Sequence, residues 1–276
     1  MVKIYTLVDD YSGYESPFLG HHGISFLIEH RGKHILFDTG QSEKPVLYNM
    51  GILGLEPEDI DYIFLSHCHY DHTGGLLGML KAIKKRVPIV AHPLIFRKHF
   101  ITKPYLRHVG IPFSKEEIEK FGELYLVDEP LQIVEGIYLT GEIRKREDFE
   151  KATLDLYTVK DGKVVRDELL DDMSLVVNIP EGLVIISGCS HAGIVGTIKR
   201  AIEITGVREV RAVIGGFHLV EASDDRIRQT IEAFKELGVE EVYTGHCTGL
   251  RAEAEFLKAY GDRFHKLHSG MVIKFG

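Results

Sequence analysis

The segment Ser66-His67-Cys68-His69-Tyr70-Asp71-His72 places three histidines and one aspartate within six residues, between a predicted strand and a predicted helix. Residues two apart in an extended chain point the same way, so His67 and His69 project together as the strand ends. Asp71 and His72 then lie in the turn that begins the helix and are directed to a neighbouring position. Imidazole and carboxylate in this mixture suit zinc, iron or manganese. The spacing therefore predicts a metal site.

The rest of the chain predicts one α/β domain. Its 276 residues are 44% hydrophobic and 27% charged, which is typical of a globular protein with a sizeable core. Strands fill the first half and alternate with helices in the last third, as in sheets covered by helices. No linker rich in Pro, Gly or Ser interrupts residues 1–276, so we expect a single domain. We expect a helical insertion over the site at residues 93–128 and a strand over 154–159.

Composition excludes several classes of function. Thirty-three Lys and Arg against 41 Asp and Glu give a net charge of −8, without the basic surface of a nucleic-acid binder. No run approaches 18 apolar residues and the first residues do not form a signal peptide, so we expect a cytoplasmic protein without nucleic-acid or membrane partners. Three cysteines without a C-x-x-C pair indicate neither a disulfide framework nor a zinc ribbon. Few Asn and Gln and no Trp, beside many Glu and Lys, are a bias reported for thermophile proteins.

Three segments resemble the signature of the metallo-β-lactamase superfamily. Thr73-Gly74-Gly75 follows the histidine motif, Leu36-Phe37-Asp38-Thr39-Gly40 precedes it at a strand end, and Val242-Tyr243-Thr244-Gly245-His246 resembles the final motif of the family. The resemblance covers nearly the whole chain. It implies an αβ/βα four-layer sandwich with a metal site along the shared edge of two sheets. It also implies two divalent ions, zinc first, with iron, manganese or magnesium as alternatives.

Other segments resemble a narrower branch, which contains the 7,8-dihydropterin-6-methyl-4-(β-D-ribofuranosyl)aminobenzene 5′-phosphate synthases. These segments lie at residues 188–194, 214–219 and 245–249, and His21-His22-Gly23-Ile24-Ser25 fits the early loop of that branch. The branch implies a small-molecule substrate that is phosphorylated or pterin-like.

The resemblance also implies the ligands. The first ion is held by His67, His69 and His191, and the second by Asp71, His72 and His246. Asp71 is also expected to orient a metal-activated hydroxide or to carry its proton.

The residue that completes the site is open to alternatives. Cys189 stands where the family usually presents a bridging Asp, so either Cys189 or His191 could be the ligand, and His191 is favoured because the usual third His has no other match. Glu142 stands where that His normally lies. A surface salt bridge is an equal alternative role for Glu142.

Other histidines and one cysteine near these motifs also receive roles. His218 follows two glycines at a strand end, so we expect it to contact substrate or an oxyanion, with a structural hydrogen-bonded role as the alternative. His22 is a second candidate for substrate binding. Strand alternation points Cys68 away from the metal and into the core. We assign His92, His99 and His108 to the insertion, where they could line the substrate pocket.

Three functions follow from these motifs. The first is a metal-dependent hydrolase that uses a metal-activated hydroxide on an ester or phosphoester of a small metabolite. The second uses the same metals to transfer an arylamine to a pterin-methyl diphosphate and releases pyrophosphate. The third is a non-hydrolytic redox sensor in which Cys189 binds iron.

Overall fold

The predicted strands assemble into two seven-stranded sheets and one four-stranded sheet in the computed structural model, which describes residues 1–150 and 155–276. The strands in these residues are β1 (Val2–Val8), β2 (Ser25–His30), β3 (Lys33–Phe37), β4 (Tyr62–Phe64), β5 (Pro88–Ala91), β6 (His99–Ile101), β7 (Arg107–His108), β8 (Glu123–Leu126), β9 (Leu131–Val134), β10 (Ile137–Leu139), β11 (Leu156–Lys160), β12 (Lys163–Arg166), β13 (Leu175–Ile179), β14 (Gly182–Ser187), β15 (Val210–Gly215), β16 (Glu241–Thr244), β17 (Phe264–Lys266) and β18 (Val272–Phe275).

Helices cover the outer faces of the two large sheets. In the described residues the α-helices are α1 (Glu43–Leu53), α2 (Tyr70–Thr73), α3 (Leu76–Ile83), α4 (Lys115–Glu119), α5 (Ile194–Thr205), α6 (Asp224–Glu236) and α7 (Leu250–Tyr260). None of the helices in this part of the chain combines the length and the apolar character needed to cross a membrane.

The two large sheets each contain a parallel block. The first has the strand order β18-β1-β2-β3-β4-β5-β8, and β3, β4, β5 and β8 are parallel. The second has the order β17-β16-β15-β14-β13-β10-β9, and β14, β15, β16 and β17 are parallel. The hairpin between β2 and β3 turns at Arg31 and Gly32, which have φ values of 50° and 72°. Two positive φ values are typical of the type I′ turn that suits a two-residue hairpin.

Three apolar cores hold these layers together. Side chains that alternate along β2 and β14, such as Phe26 and Ile186, meet between the two sheets. On the outer face of the first sheet, Met50 of α1 and Leu80 of α3 pack against strand residues. Phe234 of α6 lies in the third core, on the outer face of the second sheet. The αβ/βα four-layer sandwich implied by the resemblance is thereby confirmed.

The expected helical insertion over 93–128 is wrong in its secondary structure. The segment contains β6, β7 and β8, with α4 and a 3-10 turn at Pro93–Phe96 as its only helices. β8 belongs to the first large sheet, whereas β6 and β7 join β11 and β12 in the small sheet, of order β12-β11-β6-β7. Prolines at 93, 104 and 112 interrupt any long helix here. The strand expected over 154–159 is observed as β11, and Leu154 lies outside the described residues.

Candidate metal centre

The predicted ligands lie on loops that follow parallel strands. The loop after β4 carries His67 and His69, the loop after β14 carries His191, and the loop after β16 carries His246. The carboxyl ends of parallel strands meet at one edge of a sheet, which is where open α/β sheets bind ligands. Gly188 allows the loops of the two sheets to meet, because a Cβ there would lie 2.3 Å from Ser66 Oγ. The fold therefore brings distant parts of the sequence to one place.

His67, His69 and His191 form one cluster, which we call the trihistidine group. His67 Nε2 lies 3.0 Å from His69 Nδ1, and His191 Nε2 lies 3.1 Å from the same atom. All three side chains are buried. Zinc–nitrogen bonds of about 2.0–2.1 Å place two ligands of one tetrahedral ion about 3.3 Å apart. The spacing of these nitrogens therefore fits a single bound cation.

Asp71, His72 and His246 form a second cluster, which we call the carboxylate group. Asp71 Oδ2 lies 3.5 Å from His72 Nε2 and 3.3 Å from His246 Nε2. His246 Nε2 is buried and makes no hydrogen bond. A buried nitrogen that faces a carboxylate without a hydrogen bond fits a second divalent ion.

Cys189 lies between the two groups. Its Sγ is 3.1 Å from His72 Nε2. It is also within 4.8 Å of the ligand atoms of His67 and His191 on one side and of Asp71 and His246 on the other. The structure thus brings both of the alternatives, Cys189 and His191, to the site.

Burial sets the protonation of the trihistidine group. Removal from water disfavours the charged imidazolium, so the pKa of His69 falls to about 3. Burial also holds the pKa values of His67 and His191 well below their ordinary range. Each ring is therefore neutral at pH 7 and offers a lone pair.

Charge sets the protonation of the carboxylate group. Burial alone would raise the pKa of Asp71, but His72 and His246 outweigh burial and hold that pKa well below its usual range. Burial also opposes the protonation of His72, yet Asp71 and Asp38 raise the pKa of His72 to about 9. The pKa of His246 is raised well above its ordinary value against the effect of burial, first by Cys247 and then by its acidic neighbours.

Hydrogen bonds behind the ligands fix their orientation. His72 Nδ1 donates to Asp38 Oδ2 over 2.7 Å, and His246 Nδ1 lies 2.8 Å from Asp10 Oδ1. Ser66 Oγ donates to Asp38 Oδ2 over 2.6 Å and lies 2.8 Å from His67 Nδ1. Such partners hold ligating histidines in one tautomer and raise their basicity.

The backbone at the site is strained in four places. Asp38, Ser190, His218 and His246 have φ values of 55°, 58°, 46° and 45°. Residues with side chains rarely adopt this left-handed region, and each instance costs about 1–3 kcal/mol. Such strain clusters at functional sites, and here it occurs at one proposed ligand, His246, and at three residues close to the proposed ligands.

A pocket of about 330 Å³ opens beside both groups. His22, His218 and Arg107 line it. His22 Nε2 lies 3.5 Å from Asp71 Oδ2. The His218 ring centroid is 4.3 Å from that of His191, and neither ring nitrogen of His218 makes a hydrogen bond. His22 and His218, the two residues expected to bind substrate, therefore both line this pocket.

Glu142 and Cys68 lie outside the two groups, although Cys68 Sγ is within 4.8 Å of a ring nitrogen of His69. The Glu142 carboxylate accepts from Arg144 Nε over 3.0 Å, which is the surface salt bridge that was its alternative role. Cys68 is fully buried in the core between the first sheet and its helices, as strand alternation indicated.

Sequence reasoning assigned no site role to Asp10, Asp38, Arg107 or Asp167. Asp10 and Asp38 each follow a strand, and an acidic residue there is the signal that could have marked them. His99 was assigned to the insertion, and its Nε2 lies 2.8 Å from His69 Nε2. His108 instead packs on Phe100, with ring centroids 5.8 Å apart.

His92 also lies apart from the ligands. It is buried, and its Nδ1 accepts from Leu94 N over 3.1 Å at the start of the 3-10 turn. This is a structural hydrogen bond, whereas His92 Nε2 is buried and makes no hydrogen bond.

Comparisons with known proteins point to one family. The model of the metallo-beta-lactamase superfamily matches residues 20–246. The chain is 47% identical over 284 residues to the 7,8-dihydropterin-6-methyl-4-(beta-D-ribofuranosyl)-aminobenzene-5'-phosphate synthase of Methanocaldococcus jannaschii, which covers 99% of this chain and 97% of that protein. An uncharacterised protein of the same organism is 35% identical and covers 99% of both chains.

Solved structures agree. A metal-dependent hydrolase of the beta-lactamase superfamily superposes on all of this chain and all of its own with a TM-score of 0.86 and 30% identity. The metallo-beta-lactamase fold protein YhfI from Bacillus subtilis covers 99% of this chain and 100% of its own, with a TM-score of 0.61 and 16% identity, and shares the fold.

Proposed function

The chain belongs to the metallo-β-lactamase superfamily, as its motifs predicted, and on this premise we propose that it is a metal-dependent transferase. The proposed reaction joins a dihydropterin-6-methyl group to 4-(β-D-ribofuranosyl)aminobenzene 5′-phosphate. One observation carries the proposal, namely 47% identity over 99% of the chain to a protein named as the synthase of that compound. The hydrolase, our first hypothesis from sequence, becomes the second candidate.

The proposed cofactors are two divalent ions. The trihistidine group would hold one and the carboxylate group the other, with Cys189 between them. Zinc is the first candidate because it binds nitrogen, sulfur and carboxylate oxygen ligands together. Two such ions stabilise negative charge on oxygens such as those of a leaving diphosphate.

The proposed reaction moves one proton and one leaving group. The arylamine nitrogen bonds to the pterin methylene carbon, the bond from that carbon to the diphosphate oxygen breaks, and a proton leaves the nitrogen. His218 is suited to accept this proton, because it lines the pocket and both of its ring nitrogens are free of hydrogen bonds.

Arg107 supports a phosphorylated substrate. It is exposed, lines the pocket and makes no ion pair within residues 1–150 and 155–276. Its guanidinium lies 6.0 Å from the centroid of the Tyr105 ring. A guanidinium binds a phosphate through two parallel hydrogen bonds, so we propose that Arg107 binds the 5′-phosphate of the arylamine.

Pyrophosphate release tests the reaction. The zinc-loaded protein is incubated with a dihydropterin-methyl diphosphate, with the arylamine ribofuranoside 5′-phosphate, and with both. We expect pyrophosphate and a product of the coupled mass only when both substrates are present. Release of phosphate or pyrophosphate from one substrate alone would contradict the transferase.

Arg107→Ala tests phosphate recognition in the same assay. We expect KM for the phosphorylated arylamine to rise by about tenfold to a hundredfold, which corresponds to the loss of a charged hydrogen bond of about 1.5–3 kcal/mol. The KM for the dephosphorylated arylamine should not change. Arg166→Ala is the matched control, since Arg166 is an exposed arginine of the small sheet that does not line this pocket. Equal losses on both arylamines would contradict the role of Arg107.

The hydrolase is kept as second candidate because of one observation. A solved structure at 30% identity and a TM-score of 0.86 is described as a metal-dependent hydrolase. In that case Asp71, which is ionised and faces the pocket, would orient the attacking water. Product formed from one phosphoester substrate and water would support it.

A further inference from the structure

His69 is hydrogen-bonded on the side of its ring that faces away from the proposed ligands. Its Nδ1 faces His67 and His191, whereas its Nε2 lies 2.8 Å from His99 Nε2. His99 lies on β6 of the small sheet and is fully buried. Two Nε2 atoms at this distance form a hydrogen bond only if one donates and the other accepts.

The partner of His99 decides which nitrogen donates. His99 Nδ1 lies 2.6 Å from Asp167 Oδ2, directly after β12. An ionised carboxylate only accepts hydrogen bonds, so His99 Nδ1 carries the proton and donates. When each ring carries a single N–H, His99 Nε2 is the acceptor for His69 Nε2–H. His69 Nδ1 is then left with a lone pair that points at His67 and His191.

We propose that His99 and Asp167 are positioning residues that hold His69 in its Nε2-protonated tautomer, so that Nδ1 is available to a divalent cation. The inference rests on the proposed metal centre and is independent of the substrate. We call the series Asp167, His99 and His69 the relay.

Arg97 fixes Asp167, the residue of the relay farthest from His69. Its Nε donates to Asp167 Oδ2 over 2.6 Å, and its Nη1 lies 2.6 Å from Asp171 Oδ2. Asp171 is fully buried, and its Oδ2 also accepts from Cys68 N over 2.8 Å. One guanidinium therefore fixes both the carboxylate of the relay and the backbone between His67 and His69.

The relay differs from the supports of the other ligands. The Nδ1 atoms of His67, His72 and His246 each contact one polar side chain that comes from a strand or loop of the sandwich itself. The support of His69 comes instead from His99 and Asp167, which are attached to the small sheet. Ile101 and Arg107 of that sheet also line the pocket. The small sheet therefore contributes both to the pocket wall and to the support of His69.

The tautomer of His69 is measured directly by ¹⁵N–¹H correlation NMR on metal-free protein. We expect His69 to be protonated on Nε2 and His99 on Nδ1. His99→Phe removes the acceptor and keeps much of the volume, so we expect the Nδ1–H tautomer of His69 to appear. His99→Gln keeps an acceptor oxygen and should restore the Nε2–H form. Nδ1-protonated His69 in the wild type would overturn the proposal.

Metal affinity gives the second measurement. We expect His99→Phe to lower zinc affinity in a chelator competition by about 10–100-fold, Asp167→Asn by less, and His99→Gln to recover most of the loss. His108→Phe, on neighbouring β7, is the matched control and should bind as the wild type does.

Two outcomes separate the relay from the metal centre. Equal zinc affinity in the wild type and His99→Phe would overturn the relay. A wild type that binds no divalent ion would overturn the proposed centre, while the His69 tautomer in that protein would still report on the relay. If His99→Phe does not fold, the wild-type tautomer and Asp167→Asn carry the test.

Discussion

The two halves of the proposed metal centre lie side by side yet differ in charge. In the trihistidine group, burial and neighbouring histidines outweigh the effects of Asp71 and Asp171, so the rings are neutral and the pKa of His69 is about 3. In the carboxylate group, Asp71 and Asp38 overcome burial and raise the pKa of His72 to about 9. The first group can accept a cation without losing a proton, whereas the second must exchange protons for the cation. Neighbouring carboxylates, rather than depth of burial, make this difference.

Removal of His191 should cause the largest loss of metal affinity, at the trihistidine group. We expect His191→Ala to lose one of about two ions and to lower affinity at that position more than about 100-fold, because loss of a ligand exceeds loss of a ligand's hydrogen-bond partner. Cys189→Ala leaves all three nitrogens and should retain that ion. Elemental analysis of untagged protein measures both.

The same measurement tests the sensor hypothesis. One iron or less, kept in His191→Ala and lost in Cys189→Ala, would contradict the trihistidine assignment. A thiolate-to-iron charge-transfer band in the wild type would then favour the redox sensor.

Asp71→Asn should make the carboxylate group resemble the trihistidine group in charge. Without the Asp71 charge, the pKa of His72 should fall, since Asp71 is the first of the groups that raise it. An NMR titration of His72 in metal-free protein checks the direction. Metal content should fall to about one ion per chain, because the amide replaces a charged ligand. Two ions retained with unchanged affinity would exclude Asp71 as a ligand.

A change of pH should alter the metal affinities of the two groups differently, by a smaller factor than the substitutions above. A cation in the carboxylate group displaces protons from His72 and His246, whose pKa values are both raised, so below about pH 9 each pH unit costs at least about tenfold in affinity. The trihistidine group should show no such slope between about pH 5 and 8, because its rings are already neutral. Chelator competition across this range measures both, and parallel slopes would contradict the comparison.

The pH dependence of the stability of metal-free protein follows from the pKa of His72. The folded-state pKa of His72 lies above its ordinary value of 6.5, so its contribution to the free energy of unfolding is complete below about pH 6.5. That contribution is lost as pH rises through about 9. Thermal unfolding of chelator-treated protein should therefore show declining stability over this interval.

Local spacing predicted the part of the site that lies on one loop. His67 and His69 alternate at the end of a strand, and Asp71 and His72 begin a helix, so their directions follow from backbone geometry alone. The choice between Cys189 and His191 did not follow, because both lie on one loop and the fold brings both to the site.

Contacts that depend on tertiary pairing could not be predicted. His99 and Asp167 are 68 residues apart and meet because β6 pairs with β11, and no spacing in the sequence encodes that pairing. We expected helices around His99, whereas nearby prolines and pairing with β11 select a strand.

The hydrogen bond from His246 to Asp10 joins residues 236 positions apart. During translation Asp10 is made among the first residues and His246 only after most of the chain has left the ribosome. The histidine motif at residues 66–72 is therefore synthesised long before its partners from the second sheet. Only the completed second sheet brings His191 and His246 to this motif and closes the proposed metal centre.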